Sequence, residues 1–299
     1  MVRRLTPLPS FESTHANDLN DNGIAVGRSV SDGGTFSRAT AWYPDGRTVQ
    51  YDAANARFVN NQNLVVTQGF GSYRVFEDSV EVVDLNSVIP GIDGVGGLNN
   101  NGQVVFSAGN RIGVWDIGQG RQLASFEKGA FIMLGIDDAT RFAYLVNKGG
   151  EDVMDRYELQ WLRPGDSRET VIKRGNLALG GWLARGSVMT VFMPPDGEIH
   201  DLNLPNVQSI RTPNSTQTRP VYCEYGMVVG RAHRKNGEGI RPFVQNLSTG
   251  ETEWIEPDAT PQGRRTYLGA HRINNRNEVL TIGSEDWRGG LENGSFVLE

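Results

Sequence analysis

Ala16-Asn17-Asp18-Leu19-Asn20-Asp21-Asn22-Gly23-Ile24-Ala25-Val26-Gly27 places an apolar residue ahead of a run of Asn and Asp, reaches a glycine, and continues into an apolar stretch. Asn, Asp and Gly tolerate positive φ, so this order predicts a tight hairpin between two short strands. The same grammar returns at Phe58 to Val66, Leu98 to Val105 and Ile273 to Leu280. Ile136 to Tyr144 and Tyr222 to Gly230 keep its outline without the full Asx cluster, and Trp182 to Met189 is the most eroded copy. The leading apolar residues stand at 19, 59, 98, 136, 182, 222 and 273. Such a period suits a four-stranded blade and therefore a repeat architecture.

Each unit continues in the same way. Ala39 to Tyr43 runs into Pro44-Asp45-Gly46, Gln160 to Leu162 into Arg163-Pro164-Gly165-Asp166, and Val191 to Met193 into Pro194-Pro195-Asp196-Gly197. Phe243 to Gln245 meets the turn 246–250. These read as third strands ended by turns, because Pro presets φ and Gly takes the conformation other residues avoid. Fourth strands follow at Thr48 to Tyr51 and Glu198 to Leu202. No long helical period occurs. Residues 1–299 are thus expected to form one all-β domain, a β-propeller of seven blades with four antiparallel strands each, six blades being the alternative if the copy at Trp182 fails. The last unit ends at its third strand, Ser295 to Leu298, so the segment Arg3 to Leu8 is expected to supply the missing strand and close the ring.

The 35 acidic and 29 basic residues are scattered and give a net charge of −6. No basic stripe exists to follow a phosphate backbone, which argues against nucleic acid. Met1 to Leu5 has no apolar segment behind it, so neither a signal nor a membrane span is expected. The expectation is a cytoplasmic monomer, or a secreted one if a leader has been removed. The single cysteine, Cys223, excludes an internal disulfide and reads as a buried small hydrophobe.

The order apolar-Asn-x-x-Gly-x-apolar-apolar-Gly, followed by an aromatic before Pro-Asp-Gly, resembles the HAF-type repeats of bacterial proteins. Leu19 to Gly27 with Ala41-Trp42-Tyr43-Pro44-Asp45-Gly46 carries the likeness best, and the eponymous His-Ala-Phe is absent. The resemblance implies a propeller and nothing specific about activity.

Signatures of serine hydrolases, zinc peptidases and P-loop enzymes are missing. Asp18 to Gly23 opens like a calcium loop, but position twelve is Ser29 where the ion needs a bidentate Glu. No metal site and no cofactor are expected, with a divalent metal as the alternative. A propeller ligand usually sits over the central channel. Two residues before each leading apolar position stand Asn17, Arg57, Gly96, Leu134, Gly180, Pro220 and His271. Asn17, Arg57 and His271 come from adjacent blades and are expected to converge on an anionic or carbonyl-bearing small molecule. His271 and His15 are the acid–base candidates, with Arg57 steadying negative charge. Arg231 and His233, on an expected loop, together with Tyr267 and Trp287, complete the candidate binding set. The long connections 204–220 and 256–266 are expected as functional loops. The expected function is small-molecule binding, extending to a lyase, cyclase or isomerase without a covalent nucleophile. The alternative is a non-catalytic module that recognises a glycan or a protein.

Overall fold

The computed structural model of the chain describes residues 2–128, 131–149, 157–166, 168–175, 181–193, 196–204, 207–235, 239–260, 263–287 and 290–299. Seven antiparallel sheets form the blades of a β-propeller. Their inner strands are Ser13–Leu19, Asn55–Val59, Gly94–Leu98, Phe131–Ile136, Gly181–Leu183, Ser215–Glu224 and Gly263–Ile273, and in each blade the following strands step outward in chain order. The ring closes as the sequence suggests. Val2–Arg4 pairs with Gly290–Leu298 as the outermost strand of blade seven, with Val2 opposite Leu298 and Arg4 opposite Phe296. Among the described residues no helix is long and apolar enough to cross a membrane.

The Asx cluster does more than turn the chain. The side-chain Oδ1 of Asn20, Asn60, Asn99 and Asn274 accepts the backbone N–H four residues on, which pins the hairpin. The amide Nδ2 of each donates to a backbone carbonyl of the next blade: Asn20 to Asn60, Asn60 to Asn99, Asn99 to Asp137, and Asn274 to Asn20 across the closure. One position further, the backbone N–H of Asp21, Asn61 and Asn100 donates to the side chain of Asn61, Asn100 and Asp138, and that of Asn275 to Asp21. The repeat residues therefore staple neighbouring blades around one rim. Asp137, Ala184 and Glu224 stand where the ladder would continue, and none can donate as an amide does. Asp137 turns inward to Arg141 Nε at 2.7 Å instead.

Among the described residues, buried apolar side chains gather in seven clusters that follow the blade-to-blade interfaces. Cys223 lies in the cluster between blades five and six, where burial pushes its thiol up to about 12 and leaves it unreactive. The glycine that ends the repeat has a steric reason. Gly27 and Gly230 face a bulge of the inner strand, and a Cβ there would meet the carbonyl oxygen of His15 at 2.2 Å or of Arg219 at 2.3 Å.

Several expectations need correction. In blade five Val188–Met193 is the second strand and Asp196–Asp201 the third, one place earlier than the turn signals implied; Pro194 and Pro195 lie outside the described residues. Segment 204–220 is largely strand, with Val207–Ile210 as the outer strand of blade five and Ser215–Glu224 as a lengthened inner strand. The hydroxyls of Thr212, Ser215 and Thr218 bond one another and hold the short turn between them. Segment 256–266 likewise contains Asp258–Thr260, hairpinned onto the start of Gly263–Ile273. Arg231 and His233 belong to the strand Met227–Arg234 and not to a loop.

Candidate functional site: the channel and its cationic mouth

Six inner strands carry a bulge at the same height, and the bulged residues are Asn17, Arg57, Gly96, Leu134, Val221 and His271. A bulge re-aims the side chains around it. As a result the channel is lined by the residue after each bulge: Asp18, Phe58, Gly97, Gly135, Tyr222 and Arg272, with Trp182 from blade five. This shifts the expected lining by one position, except in blade three, where the expected Gly96 borders the channel beside Gly97, and in blade six it replaces Pro220 by Val221 as the bulged residue. Gly180 lies outside the described residues.

The waist of the channel is plugged. Arg185, from the hairpin of blade five, reaches across to Asp18 Oδ2 at 2.7 Å and also donates to the carbonyl of Val59. Arg272 Nε donates to Asp18 Oδ1 at 2.9 Å, and the Val59 N–H donates to Oδ2 at 3.0 Å. Both Asp18 oxygens are thus occupied by this chain's own donors, which supports the reading of Asp18 to Gly23 as a turn. The Arg272 guanidinium lies between the rings of Trp182, at 4.5 Å, and Tyr222, at 4.6 Å. What remains is a cavity of about 20 Å3, room for one water. A ligand of ordinary size cannot enter the waist, so it must sit above or below.

Below, Glu224 occupies the ladder position of blade six, buried, and accepts the Tyr222 hydroxyl at 2.8 Å. Burial raises its carboxyl to about 7 against the pull of Arg185. A raised acid stabilises the fold while protonated; that contribution is present below the ordinary carboxylate range and is lost as pH rises through about 7. Glu224→Gln is therefore expected to raise the urea midpoint at pH 8.5 and to leave it unchanged at pH 4, as followed by circular dichroism.

Above the waist lies the opposite kind of surface. His15 sits across from Arg28 on the first two strands of blade one, and Arg219 across from Arg231 at the same height in blade six. His271 stands between them in blade seven, and Arg57 beyond them in blade two. His271 feels Arg272, His15, Arg231 and Arg219; burial first and these cations next bring its imidazole down to about 4, so it is neutral at pH 7. Desolvation and Arg28 lower His15, which stands exposed at the rim. Arg57 is depressed by burial and by Arg272 and Arg28, and Arg219 by burial and Arg231. Among the described residues no carboxylate figures in the charges acting on these four groups. The Nε of Arg28 is buried without a hydrogen-bond partner.

The expected site residues divide accordingly. His271, His15, Arg57 and Arg231 meet at the mouth. Asn17 stands beside them with its amide hydrogens spent on Asn55 Oδ1 and the Ala56 carbonyl, each at 2.7 Å, so it orients blade two more than it offers a donor. Arg57 bonds Gln68 Oε1 at 3.2 Å. His233 is exposed further out on its strand. Tyr267 is withdrawn from the set: it is buried, its hydroxyl bonds Asp258 at 2.5 Å and its ring meets Phe296 edge-on, leaving no face for a ligand. Trp287 ends its strand, and its side chain lies outside the described part. The residues that sequence reasoning missed are Asp18, Arg28, Arg185, Arg219 and Arg272. Aligning the units by height exposes three of them, since a charged residue in an inner strand must face the channel or its mouth.

No family model matches the chain, and no curated protein matches it significantly. Solved propellers do resemble it. The acylaminoacyl peptidase of Pyrococcus horikoshii superimposes with a TM-score of 0.63 and 11% identity over 95% of this chain, which spans about half (52%) of the peptidase. The β-propeller domain of the trilobed protease from Pyrococcus furiosus gives 0.61 and 10% identity, covering 96% of both chains. The WD40 domain of Neurospora crassa Pan2 gives 0.57 and 11% identity over 99% of this chain and 94% of that one. At such identities the likeness establishes the fold alone.

Proposed function

We propose that this propeller binds a small organic anion, a carboxylate, phosphate or sulfate ester, at the mouth of its channel on the face opposite the Asx ladder. One observation carries the reading: blades six, seven, one and two crowd Arg219, Arg231, His271, His15, Arg28 and Arg57 around one opening, and the charges named as acting on His15, Arg57, Arg219 and His271 include no carboxylate. Like charges gathered in a partly desolvated recess are costly unless an anion completes them. The plug beneath supports a ligand that docks at the mouth without threading the channel. The repeat, which we read as HAF-type, supports the fold and is silent on the ligand.

The test is a thermal-shift screen of carboxylates, phosphates and sulfates beside neutral isosteres, with wild type and an Arg57→Gln/Arg231→Gln variant. Anions at a hundredfold excess over Kd stabilise the fold by about 2.7 kcal/mol in wild type only. An equal response to neutral isosteres, or from the variant, overturns the reading.

Proton linkage follows. A bound anion favours the charged imidazole and raises its pKa above the free value of about 4, so affinity is expected to rise by about tenfold from pH 7 to pH 5 as the complex takes up a proton that the free protein lacks. The rise should vanish in His271→Ala, as read by titration calorimetry at the two pH values. A second reading, acid–base catalysis on the bound anion, draws on His271 alone: an imidazole neutral at pH 7 among cations is a base beside positive charge. It predicts turnover that His271→Ala removes while binding at pH 7 persists.

A further inference from the structure

Between blades one and two, on the same face, lies a groove of about 370 Å3 walled by Phe11, Phe36, Ala53, Ala54, Gly69 and Phe70, with Arg38 and Arg74 at its edge. Phe36 and Phe70 rise from neighbouring blades and are 74% and 103% exposed. Isolated apolar residues are common on protein surfaces, whereas two aromatic rings flanking one groove form a contiguous apolar patch. Arg38 is held by Asp52 at 3.1 Å and Arg74 by Glu81 at 3.5 Å, so the groove itself offers little net charge.

The groove abuts the cationic mouth. Asn55, which Asn17 bonds at the mouth, follows Ala54 in the groove wall. Gln68, which Arg57 bonds, precedes Gly69 and Phe70, and the Ala54 N–H donates to the Gln68 carbonyl at 3.1 Å. Gly69 alone therefore separates the guanidinium's partner, Gln68, from the aromatic wall at Phe70. Two extended residues, roughly 7 Å, lead from Gln68 to Phe70.

We infer that the ligand is an amphiphilic organic anion whose charged head lies among the cations of the mouth and whose aliphatic or aryl tail lies in the Phe36/Phe70 groove. The inference rests on the anion-binding reading and adds its substrate class: a medium-length tail on an acidic head. Charge complementarity selects the head, and the groove's adjoining position, volume and apolar walls select the tail. The cations drain the enthalpic cost of stripping water from the head, while the tail supplies the area-dependent driving force.

The experiment is calorimetric titration with straight-chain carboxylates from acetate to decanoate, kept below their micelle concentrations, alongside octanol. In wild type each methylene beyond butyrate that enters the groove is expected to strengthen binding about threefold to fourfold until the groove is full. Octanol is expected to bind at least tenfold more weakly than octanoate. The Phe36→Ser/Phe70→Ser variant, whose changed side chains are exposed and whose folding is checked by circular dichroism, should keep acetate affinity and lose the chain-length dependence. Arg57→Gln/Arg231→Gln should weaken every carboxylate. Acetate binding with a flat series in wild type overturns the groove and leaves the mouth standing. A series that stays steep in the phenylalanine variant overturns it too, placing the tail elsewhere. Absence of any carboxylate binding removes both readings. A dimer by light scattering that the phenylalanine variant abolishes assigns the groove to a second copy and overturns the inference.

Discussion

Asp18→Ala is expected to cost the folded protein about 3–5 kcal/mol, because it takes from two buried guanidiniums the one carboxylate to which both donate. Asp18, Arg185 and Arg272 are each less than a tenth exposed, and both arginines direct a donor at this one carboxylate. The Val59 N–H loses its acceptor in the same stroke. Urea denaturation should show the midpoint fall with little change in slope. Asp18→Asn should fall between, since the amide oxygen still accepts but carries no charge. The double replacement Asp18→Ala/Arg185→Ala should cost clearly less than the sum of the single replacements, because the second change removes a charge the first had stranded. A loss below 1 kcal/mol in Asp18→Ala would mean that water or a neighbouring group already neutralises the cluster. Trp182 stacks on Arg272, so its fluorescence gives a local reading of the same disturbance.

The second large effect is expected at Asn60, fully buried in the ladder between blades two and three. Its Oδ1 accepts from the N–H of Gln62 and of Leu64, and its Nδ2 donates to the Asn99 carbonyl. Asn60→Ala strands those three backbone groups at once, a loss of about 3 kcal/mol. Asn60→Asp separates the roles. The carboxylate keeps the hairpin but faces the Asn99 carbonyl with no proton to give, so its folded-state pKa is raised above the unfolded value. Stability in this variant should therefore be highest at low pH and fall as pH rises through the raised pKa, whereas the deficit of Asn60→Ala should not change with pH over the same window. Denaturant midpoints at pH 4 and pH 7.5 for the two variants give the comparison. Equal deficits at both pH values would show that Nδ2 contributes nothing across the interface.

The repeat was legible because hairpin chemistry is local. Asn20, Asn60, Asn99 and Asn274 announce their turns from neighbours a few residues away, and the blade count follows from their spacing. That the same amides cross to the next blade could not be read, since the acceptor sits about forty residues downstream and nothing at Asn20 names it. The eroded copies misled for a related reason. In blade five Leu183, and not Trp182, takes the place of Leu19, and only the pairing of Leu183 with Met189 reveals the slip. One residue of error turns a channel-lining side chain into a buried one, and it hid Trp182 and Tyr222 from the list of lining residues.

For the site, local sequence patterns were enough to reveal the ring, its closure by the first strand, and a set of polar residues, Asn17, Arg57, His15, His271 and Arg231, concentrated on one side of it. Folding alone settles which of these face one another, plugs the channel with Asp18, Arg185 and Arg272, and adds Arg28 and Arg219 to the mouth beside the expected Arg231. The division has one physical cause. Strand and turn preferences act over a few residues and are written in order along the chain. Charge and burial act through space, and here they join residues 18, 185 and 272 across a channel that no stretch of sequence crosses.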